Sequence, residues 1–239
     1  LRTLFFLDPL PKSDEISLGG TEANHAIKVL RTNVGDELTL SDGKGNWAHC
    51  KVIEVNKKDL LVQSFERGMI EVESPKLVVF QAIPKSDRQK ETIELMVEAG
   101  VDEIYPWNAD RCIAKAQGDT KEKWDQTAFA AAKQSRRYLI PAIGSPVSSP
   151  EFSADSLTLV LHESGKEKIS DIVNSKWTNG SKFQAINLIV GPEGGITEEE
   201  LATFENRGAI IAKLGQPVFR SAHAASAGLA AVSALIGRW

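Results

Sequence analysis

The run best suited to hold a ligand is Gly191-Pro192-Glu193-Gly194-Gly195. It follows an apolar, strand-like stretch from Ile186 to Val190 and precedes a helical pattern that starts at Thr197. In open α/β sheets ligands lie beyond the carboxyl ends of strands, and glycines permit close backbone approach there. A tight structural turn is the rival reading. The glycine spacing is not that of a dinucleotide fingerprint, and the Lys-Ser/Thr of a phosphate-binding loop is missing. Thr197 with Glu200 makes a capping box, while Glu198 and Glu199 add negative charge at the same helix terminus. That acidic turn disfavours a phosphate and suits a neutral nucleoside or a cation.

A second glycine loop, Lys213-Leu214-Gly215-Gln216-Pro217-Val218-Phe219-Arg220, separates a strand at Ile210 from an Ala-rich helix over Ser221 to Ile236. Ser221 is the expected N-cap. Arg220, between a strand-end loop and a helix start, is placed to meet an anionic ligand, with a surface salt bridge as the alternative. Between Arg111 and Pro141 seven basic residues face three acidic ones. Lys133, Arg136 and Arg137 there have helical spacing and form either a backbone-binding patch or a solvated helix end. Lys85 and Arg88 make a second basic pair. The four histidines, His25, His49, His162 and His223, have no short-spaced His or Cys partner, so no metal site is expected. Without a Gly-x-Ser-x-Gly elbow, hydrolysis has no foothold.

Two kinds of element must position these residues. Residues 1 to 74 read as short strands and turns, a small barrel or curled sheet. Its signals are a first strand over Leu1 to Leu7, the hairpin turn Asp42-Gly43-Lys44-Gly45-Asn46, strands from Trp47 to Val55 and at Leu60 to Val62, and a short helix over Glu22 to Arg31. From residue 75 to 239 strands and helices alternate, which argues for a mostly parallel sheet covered on both sides. The strands are read at 77–82, 101–105, 157–161, 186–190 and 210–212, and the helices at 87–98, 124–137, 197–206 and 221–236. The Pro- and Ser-rich stretch from Ser145 to Ser156 reads as a surface loop.

The 239 residues are 42% hydrophobic and 25% charged, which excludes a disordered, collagen-like or coiled-coil chain. A net charge of −4 weakly disfavours a protein that grips nucleic acid by charge alone. Cys50 and Cys112 cannot build a disulfide framework and fit a reducing compartment. No apolar run is long enough to span a bilayer, and Leu1 to Leu7 lacks the features of a secretory signal, so a cytoplasmic address is expected.

The ordered set His25, Val29-Leu30-Arg31, Lys85-Ser86-Asp87-Arg88, Glu98-Ala99-Gly100-Val101, Lys133-Gln134-Ser135-Arg136-Arg137, Gly191 to Gly195 and Leu214 to Arg220 resembles the bacterial ribosomal small subunit methyltransferase E family, within the SPOUT methyltransferases. The resemblance covers nearly the whole chain. It implies an α/β C-terminal domain with a trefoil knot, residues 75 to 239, and an N-terminal PUA-like β-barrel that binds RNA, residues 1 to 74. It implies S-adenosylmethionine-dependent methylation of N3 of one uridine near the 3′ end of 16S ribosomal RNA in the small subunit, by a homodimer without metal or membrane. By the same resemblance the cofactor would lie against Leu161, His162, Gly191, Pro192, Glu193, Gly194, Gly195, Leu214, Gly215, Val218, Phe219 and Ser221. Arg220 would be catalytic, and Arg2, His25, Arg31, Lys85, Arg88, Lys133, Arg136 and Arg137 would serve RNA.

The chain departs from the family at Ser221-Ala222-His223-Ala224, where members usually carry Thr, then Glu or Ser, then Thr and Ala. Ser221 keeps a hydroxyl, Ala222 loses a polar group and His223 adds a ring. Two rivals to the active enzyme follow. One is a silent SPOUT-fold RNA-binding protein, which cofactor affinity and turnover would separate. The other is a nucleotide-using α/β enzyme with a small substrate, which would keep its activity without the barrel.

Overall fold

The computed structural model describes residues 2–85, 87–178 and 183–239. The chain divides into two compact units. The first comprises the chain through Val72 together with Ala132–Ile140, and the second Glu73–Ala131 with Pro141–Trp239. The nine residues 132–140 therefore pack with the N-terminal strands and not with the sheet that precedes them in the chain.

In the first unit, strands β1 (Thr3–Phe6), β2 (Glu15–Leu18), β3 (Glu37–Ser41), β4 (Asn46–Val55) and β5 (Leu60–Met69) form one sheet in the order β1-β3-β4-β5-β2. Only the β1–β3 pairing is parallel. The sheet wraps a single core, because Phe5, Ile16, Leu18, Leu38, Leu40, Cys50, Val52, Leu60 and Val62 alternate inward and meet. The Asp42 to Asn46 signal is the β3–β4 hairpin: Gly43 and Gly45 have φ of 74° and 107°, and the Asp42 carboxylate accepts from the backbone N–H of Lys44 and Asn46. At Gly45 a Cβ would lie 2.1 Å from the Ile70 carbonyl oxygen.

The helix expected over Glu22 to Arg31 is shorter and composite. It is α-helical at α1 (Gly20–Asn24), widens to a π-turn at His25–Val29, and ends before Arg31, whose φ is +54°. Leu1 and Ser86 of the sequence reading lie outside the described residues.

The second unit is built on a seven-stranded sheet. Its strands are β6 (Lys76–Ala82), β7 (Glu103–Trp107), β8 (Ala142–Ile143), β9 (Ser156–Leu161), β10 (Glu167–Lys168), β11 (Ala185–Val190) and β12 (Ile210–Lys213). Their order is β10-β12-β9-β11-β6-β7-β8 and every pairing is parallel. The helices are α2 (Gln89–Glu98), α3 (Thr120–Ser135), α4 (Ile169–Thr178), α5 (Glu198–Asn206) and α6 (Ser221–Ile236). After β12 the chain doubles back, and α6 packs on α2, α4, β6 and β11. Gly228 permits that return: a Cβ there would sit 2.9 Å from Leu161 and 3.0 Å from Leu188. This is the SPOUT-type α/β arrangement, in which the C-terminal segment closes over the sheet's middle strands.

Two helix assignments need correction. Helix α4 was not anticipated, although Ile169, Ile172 and Val173 have the i, i+3, i+4 spacing of an inward face and are buried. Helix α3 stops at Ser135 and Arg136 adopts φ +59°, so Lys133, Arg136 and Arg137 do not share one helical face.

Candidate active site

Three strand ends in the second unit converge. Strand β11 runs into Gly191-Pro192-Glu193-Gly194-Gly195, β9 into His162, and β12 into Leu214. The Gly191 to Gly195 turn is closely packed: a Cβ on Gly191 would meet Ile196 at 2.6 Å, one on Gly194 would meet Arg111 at 3.0 Å, and Gly195 has φ +78°. The turn is tied from four sides. Trp107 Nε1 donates to the Val190 carbonyl at 3.0 Å, Arg111 to the Gly194 carbonyl at 3.3 Å and Ser221 Oγ to the Gly191 carbonyl at 2.6 Å. The Glu193 carboxylate accepts from the Lys85 backbone N–H at 3.2 Å.

Ser221 is thus not the N-cap. Arg220 occupies that position, with extended φ −65° and ψ 146° and no side-chain cap, while the Ser221 hydroxyl donates to the glycine loop. The amide of the fully buried Gln81 donates to Ser221 Oγ at 3.3 Å, extending the link into the sheet. Thr197 and Glu200 form the expected capping box, and Glu200 also accepts from the Asp110 backbone N–H. Glu200 is therefore committed to the fold, while Glu198 faces the open cleft.

Two connected cavities result. A slot of about 250 Å³ is lined by Leu161, His162, Glu163, the segment Lys213 to Phe219 and Ala224. It opens into a cleft of about 840 Å³ that the two share at Leu161, His162, Glu163, Val218, Phe219 and Ala224. The cleft also carries Gly191 to Gly195, Arg220, Ser221, Ala222 and His223, with Lys85, Asp87, Arg88, Arg111, Glu193 and Glu198 around it. All the expected cofactor residues border one or both spaces.

Gly165 was missed. A Cβ there would lie 2.7 Å from the backbone of Ala212 and Lys213, so the loop after β9 stacks on the end of β12. Arg111, read only as part of a basic stretch, and His223, read as a departure in the Ser221 to Ala224 run, both line the cleft.

The slot is mostly apolar, and the cleft is charged. That donor set fits a nucleoside in the slot, with three carboxylates (Glu163, Glu193, Glu198) available to a cationic group at the junction. The Arg220 side chain lines the cleft without a hydrogen bond or ion pair among the described residues.

Of the expected RNA-binding residues, Lys85 and Arg88 border the cleft, Arg88 donating to Glu91 at 2.8 Å. Arg2, His25, Arg31, Lys133, Arg136 and Arg137 belong to the first unit. Arg2 pairs with Glu37 at 2.8 Å while staying half-exposed. Lys133 is committed inward, 2.8 Å from Glu22 with its ammonium 5.0 Å from the Phe5 ring centre. Both ends of that pair are largely covered, so Lys133 serves the fold of the first unit.

Among the described residues no helix is long and apolar enough to cross a membrane, and no group of three His, Cys, Asp or Glu could hold a metal ion.

Residues 72–236 match the family described as RNA methyltransferase domain, and residues 18–63 the RNA methyltransferase PUA domain. A ribosomal RNA small subunit methyltransferase E of Mycobacterium bovis is 36% identical over 99% of this chain and 93% of its own length. The crystal structure of the Neisseria gonorrhoeae ribosomal RNA small subunit methyltransferase E bound to S-adenosyl methionine superposes with a TM-score of 0.85 at 26% identity, over 98% of each chain. A methyltransferase from Legionella pneumophila in complex with the same cofactor superposes with a TM-score of 0.82 at 27% identity, again over 98% of each. With its PUA and methyltransferase parts both matched and its relatives aligned end to end, the chain belongs to the ribosomal RNA small subunit methyltransferase E family.

Proposed function

We propose that this protein uses S-adenosylmethionine to methylate N3 of one uridine near the 3′ end of 16S ribosomal RNA in the small subunit. It does so as a cytoplasmic homodimer, with residues 1–74 as the RNA-binding domain and 75–239 as the methyltransferase domain. The observation that carries the reading is the continuity of an apolar nucleoside-sized slot with a charged cleft lined by Arg220.

The bound cofactor supplies an electrophilic methyl group. Leu161, His162, Leu214, Gly215, Val218 and Phe219 hold its nucleoside, and Gly191, Pro192, Glu193, Gly194 and Gly195 wall the junction, with Ser221 fixing that wall. Glu193 and Glu198 favour a positive sulfonium there. The uridine enters the cleft unstacked from its neighbours, its N3 held in line with the methyl group. Loss of the N3 proton leaves negative charge on the uracil oxygens. Arg220, whose side chain has no ion pair among the described residues, stabilises that charge as it develops. Arg2, His25, Arg31, Lys85, Arg88, Arg136 and Arg137 contact the RNA backbone and position it without reading sequence. Lys133 drops out of that set because Glu22 holds it.

The test is transfer of a labelled methyl group from S-adenosylmethionine to small subunits that lack the modification, followed by mapping of the product base. Label at N3 of one uridine, reduced roughly 100-fold or more by Arg220→Ala with cofactor binding retained, is the expected result. Cofactor binding without transfer would identify a silent RNA-binding relative instead.

A further inference from the structure

The residues assigned so far leave the uridine N3 proton without an acceptor, and N3 is a poor nucleophile while it carries that proton. We propose that His223 is the base that takes it, with Glu91 as the residue that positions the imidazole. This rests on the placement of the uridine beside Arg220.

His223 lines the same cleft as Arg220 and sits in the first turn of α6, its backbone N–H bonded to the Arg220 carbonyl at 2.9 Å. The two side chains therefore spring from one turn of backbone. Its ring is 44% exposed, so a substrate can reach it. The imidazole is oriented from outside: Nε2 lies 3.5 Å from Glu91 Oε1 on α2, and the second Glu91 oxygen accepts from Arg88 at 2.8 Å. Arg88 and His223 together hold the Glu91 carboxyl below its usual range, so it stays ionised. A carboxylate at Nε2 favours the proton on that nitrogen and leaves the Nδ1 lone pair as the acceptor.

The charged groups around the ring are Glu91, Arg88 and Asp87 from the α2 side, Arg220 from its own turn, and Lys85, Arg111, Glu193 and Glu198 across the cleft. The competing bases are less suited. His162 has its Nδ1 engaged by Ser164, 2.8 Å from the hydroxyl and 3.2 Å from the backbone N–H. Glu193 is engaged with the Lys85 N–H, and carboxylates as a class are weaker bases than imidazole near neutral pH.

The N3–H bond breaks and its proton passes to His223 Nδ1. The freed N3 pair forms the bond to the methyl carbon while the carbon–sulfur bond breaks, its electrons going to sulfur as S-adenosylhomocysteine leaves. The imidazolium returns its proton to water.

The test combines His223→Ala, Glu91→Gln and Arg220→Ala in single-turnover methyl transfer to unmodified small subunits across the neutral pH range, with cofactor binding followed by calorimetry. His223→Ala is expected to bind the cofactor as the parent does, to transfer 10²- to 10⁴-fold more slowly (roughly the worth of a positioned base) and to lose the acid limb of the rate profile. Imidazole in the buffer should restore part of its rate. Glu91→Gln should lower the rate less than His223→Ala does, since the imidazole loses the carboxylate that orients it, and Glu91→Asp should recover part of that loss. Transfer by His223→Ala at the parental rate, or a slow variant that keeps the acid limb and ignores imidazole, overturns the inference while a crippled Arg220→Ala leaves the site reading standing. Unchanged transfer by Arg220→Ala removes the placement on which both depend.

Discussion

The Ser221 hydroxyl donates to the Gly191 carbonyl at 2.6 Å, joining the first turn of the last helix to the glycine loop that follows β11. Arg220, which precedes Ser221, and His223, which follows it, are held against that loop by the same bond. Behind it stands Gln81, buried in the sheet, whose amide reaches Ser221 at 3.3 Å.

Ser221→Ala should therefore weaken cofactor binding more than it weakens the fold. It removes the bond to the Gly191 carbonyl and one of the two acceptors of the Gln81 amide, which keeps the Ala82 carbonyl, a cost of about 1 to 2 kcal/mol. Calorimetric titration with S-adenosylmethionine is expected to show roughly 5- to 30-fold lower affinity. Ser221→Thr, which keeps a hydroxyl at this position, should retain most of the affinity.

Lys133 and Arg136 separate stability from RNA affinity. Lys133→Met should destabilise the first unit by about 1 to 3 kcal/mol, because the largely covered Glu22 loses its partner. Glu22→Gln in the same chain should return part of that, and urea unfolding measures both. Arg136→Ala should leave stability nearly unchanged and reduce the salt slope of RNA binding by about one.

At the C-terminus, Arg238 donates to the carbonyls of Glu73 and Pro75 at 2.8 and 2.7 Å and to the nearly buried Asp102 carboxylate at 3.0 Å. Asp102 also accepts from the Leu77 N–H, at the start of β6. Arg238→Ala is expected to cost about 2 to 4 kcal/mol in thermal or urea unfolding, most of it because the nearly buried carboxylate loses its guanidinium partner. The glycine loop lies at the far end of the strands, so cofactor affinity of the folded variant should be unchanged.

Burial pushes the Cys50 thiol from an ordinary 9.0 up to about 11. Between those values the unfolded chain has lost the proton that the folded chain keeps. Stability is thus unaffected by this group below about pH 9 and falls as pH rises toward 11. Cys50→Ala should flatten that alkaline decline. Because Cys112 is also buried with its thiol raised, neither cysteine should react with a thiol reagent at pH 8 until the protein unfolds.

Much of the architecture is local and was open to reading from the residues. The hairpin at Asp42 to Asn46, the capping box at Thr197 and Glu200, and the alternation of strands and helices after residue 75 depend on neighbours in the chain, so spacing reveals them. The two glycine loops were legible for the same reason, because each sits between a strand pattern and a helix pattern. Tertiary structure alone decided which residues those loops meet. Strand order brings β9, β11 and β12 side by side, and only then does Leu161 border both the slot that Leu214 lines and the cleft that Gly191 lines. Ser221 reads as a helix cap until Gly191, thirty residues away, claims its hydroxyl. Lys133 reads as a free cation until Glu22, from the far end of the chain, neutralises it. His223 reads as a misfit until Glu91, on another helix, comes within 3.5 Å of its Nε2. Periodicity records which face a side chain turns inward or outward, whereas its partner is fixed by long-range packing that no local pattern encodes.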